Sequence, residues 1–230
     1  MSYNPWPLGN IPKEKQRPEL DMLKEKGYPI EDPRDAIDLF EKTIAEFAGS
    51  KYAISVDCCS HGLFLCLQYT NASGTITIPS RTYVSVPMQI LHSGCDLEFE
   101  DTKWFSKYQL KPYPIWDCAL QFTEGMYEGG FEVLSFQIKK TIPIGRGGMI
   151  LTDDEDAYKW LKKASYDGRD LNAKYDDDDF EVLGWHFYMT PEDAARGLLL
   201  FEDVSKANEP CIENPYEHYS NLSNKKVFKK

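Results

Sequence analysis

The sequence predicts an α/β fold whose sheet is mostly parallel and flanked by helices. Three observations predict it. Short apolar runs alternate with helical windows over residues 52–99, giving a β-α-β-α-β rhythm. The helical windows carry start and stop signals, such as Asp32 before Pro33 and Gly49 just after Phe47. The chain has 230 residues, 42% hydrophobic and 27% charged, enough for one sizeable core.

Residues 1–30 are polar and proline-containing and read as an N-terminal arm with a short helix near 18–26. Such arms often pack on a partner subunit. Residues 31–206 read as the α/β domain and 207–230 as a polar tail. Ile37, Phe40, Ile44 and Phe47 recur at helical spacing and face the core. Residues 52–56 read as a strand, 57–62 as a turn and 63–69 as a helix. Free N–H groups at such a helix start form a ready anion site, to which Ser60 adds a hydroxyl. His61 beside it reads either as a base or as a partly buried structural histidine.

Strand 75–78, loop 79–83, helix 84–92 and strand 96–99 follow, then an irregular connection over 100–112. Asp117 ends the next strand, 113–116, at the carboxyl edge where open α/β sheets bind ligands. The same acid also reads as the N-cap of a helix over 118–122. Residues 131–136 form a buried strand that runs into Lys139 and Lys140, a Gly-Arg-Gly-Gly turn and a strand over 149–151. Thr152, Asp153 and Asp154 cap a helix over 155–165. The acidic run at 176–179 reads as a solvated turn without calcium-loop spacing. Thr190 and Pro191 open a last helix to about 204.

The net charge of -11 argues against a nucleic-acid partner, which needs a basic face. No run is long and apolar enough to span a membrane, and residues 1–10 lack a secretory pattern, so a cytoplasmic chain is expected. Cys58, Cys59, Cys66, Cys95, Cys118 and Cys211 contain no Cys-x-x-Cys and read as reduced core filler, with no metal site expected. Two lysines at a turn, taken alone, read as a solvated pair. A lysine past a buried strand, with a serine five residues earlier, equally suits an imine to an aldehyde cofactor whose phosphate the serine holds.

Several blocks together resemble the DegT/StrS group of pyridoxal-phosphate-dependent sugar aminotransferases. They are Phe40 and Glu41, Gly-Ser-Lys-Tyr-Ala at 49–53, the turn at 56–63, and Pro-Ser-Arg-Thr-Tyr-Val at 79–84. Trp-Asp-Cys-Ala at 116–119 and Leu-Gly-Trp-His-Phe-Tyr-Met-Thr at 183–190 follow in family order. Residues 135–148 resemble the signature Ser-Phe-x-x-x-Lys-x-x-x-x-Gly-Glu-Gly-Gly, which places Lys140 at the Schiff-base position.

The resemblance implies the large domain of a fold type I pyridoxal 5'-phosphate (PLP) transferase, with the C-terminal small domain largely missing after Val204. It implies transamination of a keto-sugar nucleotide by an amino-acid donor in a homodimer with a shared active site, with no nucleic-acid or membrane partner. Lys140 would hold the cofactor and shuttle protons, and Asp117 would face its pyridine nitrogen. Tyr83 would stack on the ring, and Ser60 and Ser135 would bind phosphate. His186 would reach the neighbouring subunit's cofactor. Cys59 and Ser60 stand for a Gly-Thr pair, Arg146 for an acid and Tyr188 for an arginine. Gln121 falls one residue beyond the family's glutamine, a turn of ~100° if 118–122 is helical. These departures leave an alternative, a PLP-fold binding protein without full transaminase activity.

Overall fold

The computed structural model describes residues 12–204 and 218–229. The first eleven residues of the expected arm, and residues 205–217 with Cys211, lie outside the described residues. The helices are α1 (Glu19–Glu25), α2 (Asp35–Ala48), α3 (Cys59–Tyr69), α4 (Ser85–His92), α5 (Glu155–Ser165) and α6 (Pro191–Phe201). The strands are β1 (Tyr52–Val56), β2 (Thr75–Pro79), β3 (Asp96–Glu100), β4 (Tyr108–Gln109), β5 (Ile115–Asp117), β6 (Phe131–Ser135) and β7 (Gly148–Thr152).

The α/β class holds, but the pairing departs from the mostly parallel expectation. One sheet has the order β1-β7-β6-β5-β4, and only its β5–β6 pair is parallel. A second, parallel pair, β2 and β3, joins its edge through a bridge between Thr77 and Lys111. Following the pairings, β1, β2, β3, β5 and β6 share one direction, and β4 and β7 oppose it. The reason is connection length. Neither residues 110–114 nor residues 136–147 hold a helix. A parallel return needs a crossover, usually helical, whereas an antiparallel return does not.

Each strand sends alternate residues to opposite faces. Ala53, Leu134, Met149 and Leu151 join a core with Phe40, Ile44 and Phe47 of α2 and Leu23 of α1. Ile54, Val56, Val133 and Ile150 join a second core with Leu63, Leu67 and Leu161 from α3 and α5. The sheet is thus covered on both faces. Helix α2 begins at Asp35, later than Asp32 and Pro33 suggest, because Arg34 N and Nε both bond the Asp32 carboxylate in a preceding turn. It ends at Gly49, whose φ of 87° suits a glycine.

The described part of the expected arm packs on this same chain. Leu23 is buried, Arg17 reaches Asp193 at 2.7 Å and Lys26 reaches Glu202 at 2.6 Å, both on or next to α6. The described end of the expected tail is also docked. Leu222 N donates to Ser80 O at 2.8 Å, and the Phe228 ring meets Phe99. No described helix is long and apolar enough to cross a membrane.

Gly197 of α6 lies against the buried Phe40 ring, where an added Cβ would sit 2.5 Å from Cζ. Gly197→Ala should therefore lower stability by about 1–3 kcal/mol despite alanine's better helix propensity, read as a lower urea midpoint at unchanged slope.

Candidate active site

Because β5 and β6 are parallel with Asp117 opposite Val133, Asp117 and Ser135 leave the sheet at one edge. The carboxyl end of β1, and with it the start of α3, shares that edge, as does the loop after β2. The Asp117 carboxylate is 5% exposed. Its Oδ2 accepts from Tyr108 OH at 2.7 Å, and its Oδ1 accepts from Ala119 N at 2.9 Å. The Cys59 thiol lies 3.9 Å from Oδ1. Tyr108 and Thr82 hydroxyls meet at 2.5 Å. With the phenol proton committed to the carboxylate, Thr82 donates to the phenol oxygen.

Burial pushes the Asp117 carboxyl up. Tyr108, the Ala119 N–H and the Lys140 charge pull it back, and a net upward shift remains. Burial and the Asp117 charge push the Tyr108 phenol well up, so it stays a donor. The same two influences raise the Cys59 thiol far above its ordinary value, while Lys140 opposes them. Lys140 therefore acts electrostatically on both buried groups.

Residues 118–122 form a turn, not the expected helix. Cys118 N extends the strand pairing to Val133 O, Asp117 Oδ1 takes the Ala119 N–H, and Gln121 N closes on Cys118 O. Asp117 thus organises a single turn. The helical rotation argument against Gln121 falls away. Gln121, Ser135, Lys139 and Lys140 line one cavity of about 160 Å³.

The other expected site residues lie around this centre. Cys59 is the first residue of α3 and is buried against β6 and β7. Ser60 Oγ meets Ser85 Oγ at 2.6 Å, tying the starts of α3 and α4. Tyr83, in the loop before α4, is 59% exposed. His186 is exposed and bonds Asp167 through Nδ1 at 2.8 Å. Neither Tyr83 nor His186 lines the cavity with Lys140. Tyr108 and Thr82 escape sequence reasoning. Tyr108 lies in the stretch read as irregular, and its only signal is a tyrosine within an apolar pair, Tyr108 and Leu110.

Arg146, which departs from the acidic family pattern, has a partner. Its Nη2 donates to Asp57 Oδ2 at 2.6 Å, and His61 Nδ1 meets Asp57 Oδ1 at 2.6 Å. The His61 ring stacks on Phe187 with centroids 3.7 Å apart. Burial alone would lower its pKa, but bonds to Asp57 and Cys58 raise it from 6.5 to about 9. Burial likewise opposes ionisation of Asp57, and His61 and Arg146 overcome it, so the Asp57 pKa falls.

A model of the DegT/DnrJ/EryC1/StrS aminotransferase family matches residues 14–115 and 124–222. The chain is similar to GDP-perosamine synthase of Caulobacter vibrioides, 25% identical over 215 residues, covering 73% of this chain and 56% of the relative. Among solved structures it resembles AtS13 from Actinomadura melliaura, with TM-score 0.69, 20% identity, and 81% and 65% coverage of the two chains. It also resembles ntda from Bacillus subtilis with bound cofactor pmp, with TM-score 0.64, 19% identity, and 82% and 53% coverage. These likenesses establish the fold, and the chain spans little more than half of the curated relative.

Two consequences are measurable. Tyr108→Phe strips a donor from a buried carboxylate and should cost about 1–3 kcal/mol in urea unfolding. His61, with its folded pKa raised, contributes stability present below pH 6.5 and lost as pH rises through about 9. Asp57, with its pKa depressed, contributes stability present above its usual value of 3.8 and lost as pH falls through its lower folded value. Denaturation across the alkaline window should therefore show a decline that His61→Gln flattens.

Proposed function

The chain belongs to the DegT/DnrJ/EryC1/StrS aminotransferase family, and from that premise we propose that it is a PLP-dependent aminotransferase acting on a keto-sugar nucleotide. The observation that carries the reading is the placing of Lys140, Ser135 and Gln121 around one cavity, with the buried Asp117 within the Lys140 field. The name of GDP-perosamine synthase suggests the substrate class, and the pmp-bound relative suggests the cofactor.

The donor set fits that cofactor. Lys140 offers an amine, Asp117 a buried acid, Ser135 and Ser60 hydroxyls, and Gln121 an amide. When bound, the cofactor supplies an electron-withdrawing ring that stabilises negative charge on a carbon losing its proton. As a carboxylate, Asp117 would accept a hydrogen bond from the ring nitrogen and so keep that nitrogen protonated. Tyr108 and the Ala119 N–H fix the orientation of that carboxylate. Lys140 carries the proton to and from the reacting carbon. Ser135, with Ser60 at the helix start, takes the anionic group. Tyr83, exposed in the loop before α4, would cover the ring of a bound cofactor, and His186, exposed beside Asp167, would reach the neighbouring site of a homodimer. The described cysteines are all free thiols, which suits a cytoplasmic setting.

A second reading, cofactor binding without full turnover, is favoured by the Cys59 thiol and Tyr108 hydroxyl, which already engage both Asp117 oxygens.

Full-length protein mixed with pyridoxal phosphate should turn yellow. Borohydride should then fix one pyridoxyl group on Lys140, located by peptide mass, and Lys140→Ala should lose it. A mark on Lys139, or none, refutes the proposal. Addition of glutamate should discharge the yellow form in an aminotransferase and leave it unchanged in a binder.

A further inference from the structure

Residues 218–229 return to the sheet and hold the loop after β2. Leu222 N donates to Ser80 O at 2.8 Å, and Arg81 Nη1 donates to Tyr219 O at 3.0 Å. A third bond pins the same loop, from Trp104 Nε1 to Arg81 O at 2.9 Å. The Phe228 ring, with its centroid 5.6 Å from that of Phe99 on β3, anchors the far end of the segment. The attachment is light. Among residues 218–229 only Leu222 is buried, and it belongs to neither of the two cores. Such a segment can open locally while the cores stay closed.

These contacts converge on the phenol that serves Asp117. Thr82 follows Arg81 in the pinned loop, and its hydroxyl meets Tyr108 OH at 2.5 Å. Tyr108 OH in turn donates to Asp117 Oδ2 at 2.7 Å. The Trp104 ring lies edge-on to the Tyr108 ring with centroids 4.7 Å apart. Its other ring neighbour is Tyr219, 6.3 Å away and 21° from parallel. Both supports of the phenol, the Thr82 hydroxyl and the Trp104 ring, are therefore seated by residues 218–229. Tyr83 is the next residue of the same loop.

We propose that residues 218–229 are a releasable brace for the Asp117 site, with Arg81, Trp104, Tyr219 and Leu222 as its positioning residues. Docked, the brace keeps Thr82 on Tyr108, and Tyr108 fixes the direction in which the Asp117 oxygens point. It also holds Tyr83 at the edge of the sheet. Released, the loop after β2 loses two of its three anchoring bonds, and the site loses its preorganised form. The purpose of the brace rests on the cofactor reading, whereas its docking and its grip on Tyr108 do not.

The test compares the full chain with Leu222→Asp, which puts a charge into the buried seat, and Leu222→Met, which keeps the seat filled. Without cofactor, amide hydrogen exchange in Leu222→Asp should quicken over 218–229, 79–84 and 104–110 and keep its native rate in α2 and β7. Quickening confined to 218–229 overturns the proposal. Loss of protection in α2 and β7 also overturns it, because Leu222 then belongs to the core. Titration with pyridoxal phosphate gives a second readout. If about a tenth of the Leu222→Asp molecules stay braced, half-saturation of the yellow form should need about tenfold more cofactor. Leu222→Met should restore the native midpoint. An unchanged midpoint in Leu222→Asp overturns the proposal. If the unmodified chain forms no yellow species, the cofactor reading fails, and hydrogen exchange alone decides the brace.

Discussion

The close approach of α3 to the sheet governs the site. A Cβ on Gly148 would fall 2.5 Å from Cys59 N and 2.6 Å from Cys58 C, and backbone atoms cannot yield. A Cβ on Gly62 would fall 2.7 Å from a Val133 methyl. Both glycines let the first turn of α3 sink onto β6 and β7. That depth brings the Cys59 sulfur against the Asp117 carboxylate and seals it from water. A less intimate contact would leave the acid solvated, and its pKa would not rise.

Two buried carboxylates show how differently such groups are used. Glu41 is 5% exposed and fully answered by Ser55 N and Oγ and by Lys162, each at 2.8 Å. Burial opposes the Lys162 charge, but Glu41 outweighs it and raises its pKa. This pair binds α2, β1 and α5 together and leaves nothing to react. Asp117 has neutral donors in direct contact and a lysine only in its field. A buried acid without a direct cation keeps a capacity for protons.

Much of this arrangement is legible from residue order. Helix α5 is readable to the residue, because the Asp154 side chain accepts from Asp156 N and Ala157 N. Asp117 is readable from its place at the end of a strand-like run, and Lys140 only from the signature that residues 135–148 resemble. Strand direction is not. The apolar run of β7 reads the same whichever way the strand runs, so only connection length gives the reversal away. The turn at 118–122 is also hidden, since an N-cap aspartate and a turn-forming aspartate look alike in one dimension. Tyr108 is hidden because its partner Asp117 lies across a strand pairing, and pairing register is a tertiary fact.

Substitution at Cys59 and at Arg146 can be understood as one change of electrostatics at the start of α3. A glycine at 59 would leave room above Asp117, and the thiol fills it with a weak donor. An acid at 146 would repel Asp57, whereas arginine pairs with it and fixes it for His61. The network of Asp57, His61 and Arg146 holds this turn from outside. Ser60 remains in that turn with its hydroxyl tied to Ser85. An anion bound there would have to take this hydroxyl from Ser85, exchanging a neutral hydrogen bond for a charge-assisted one. The departures therefore alter how the helix start is held without removing the donors that face the edge of the sheet.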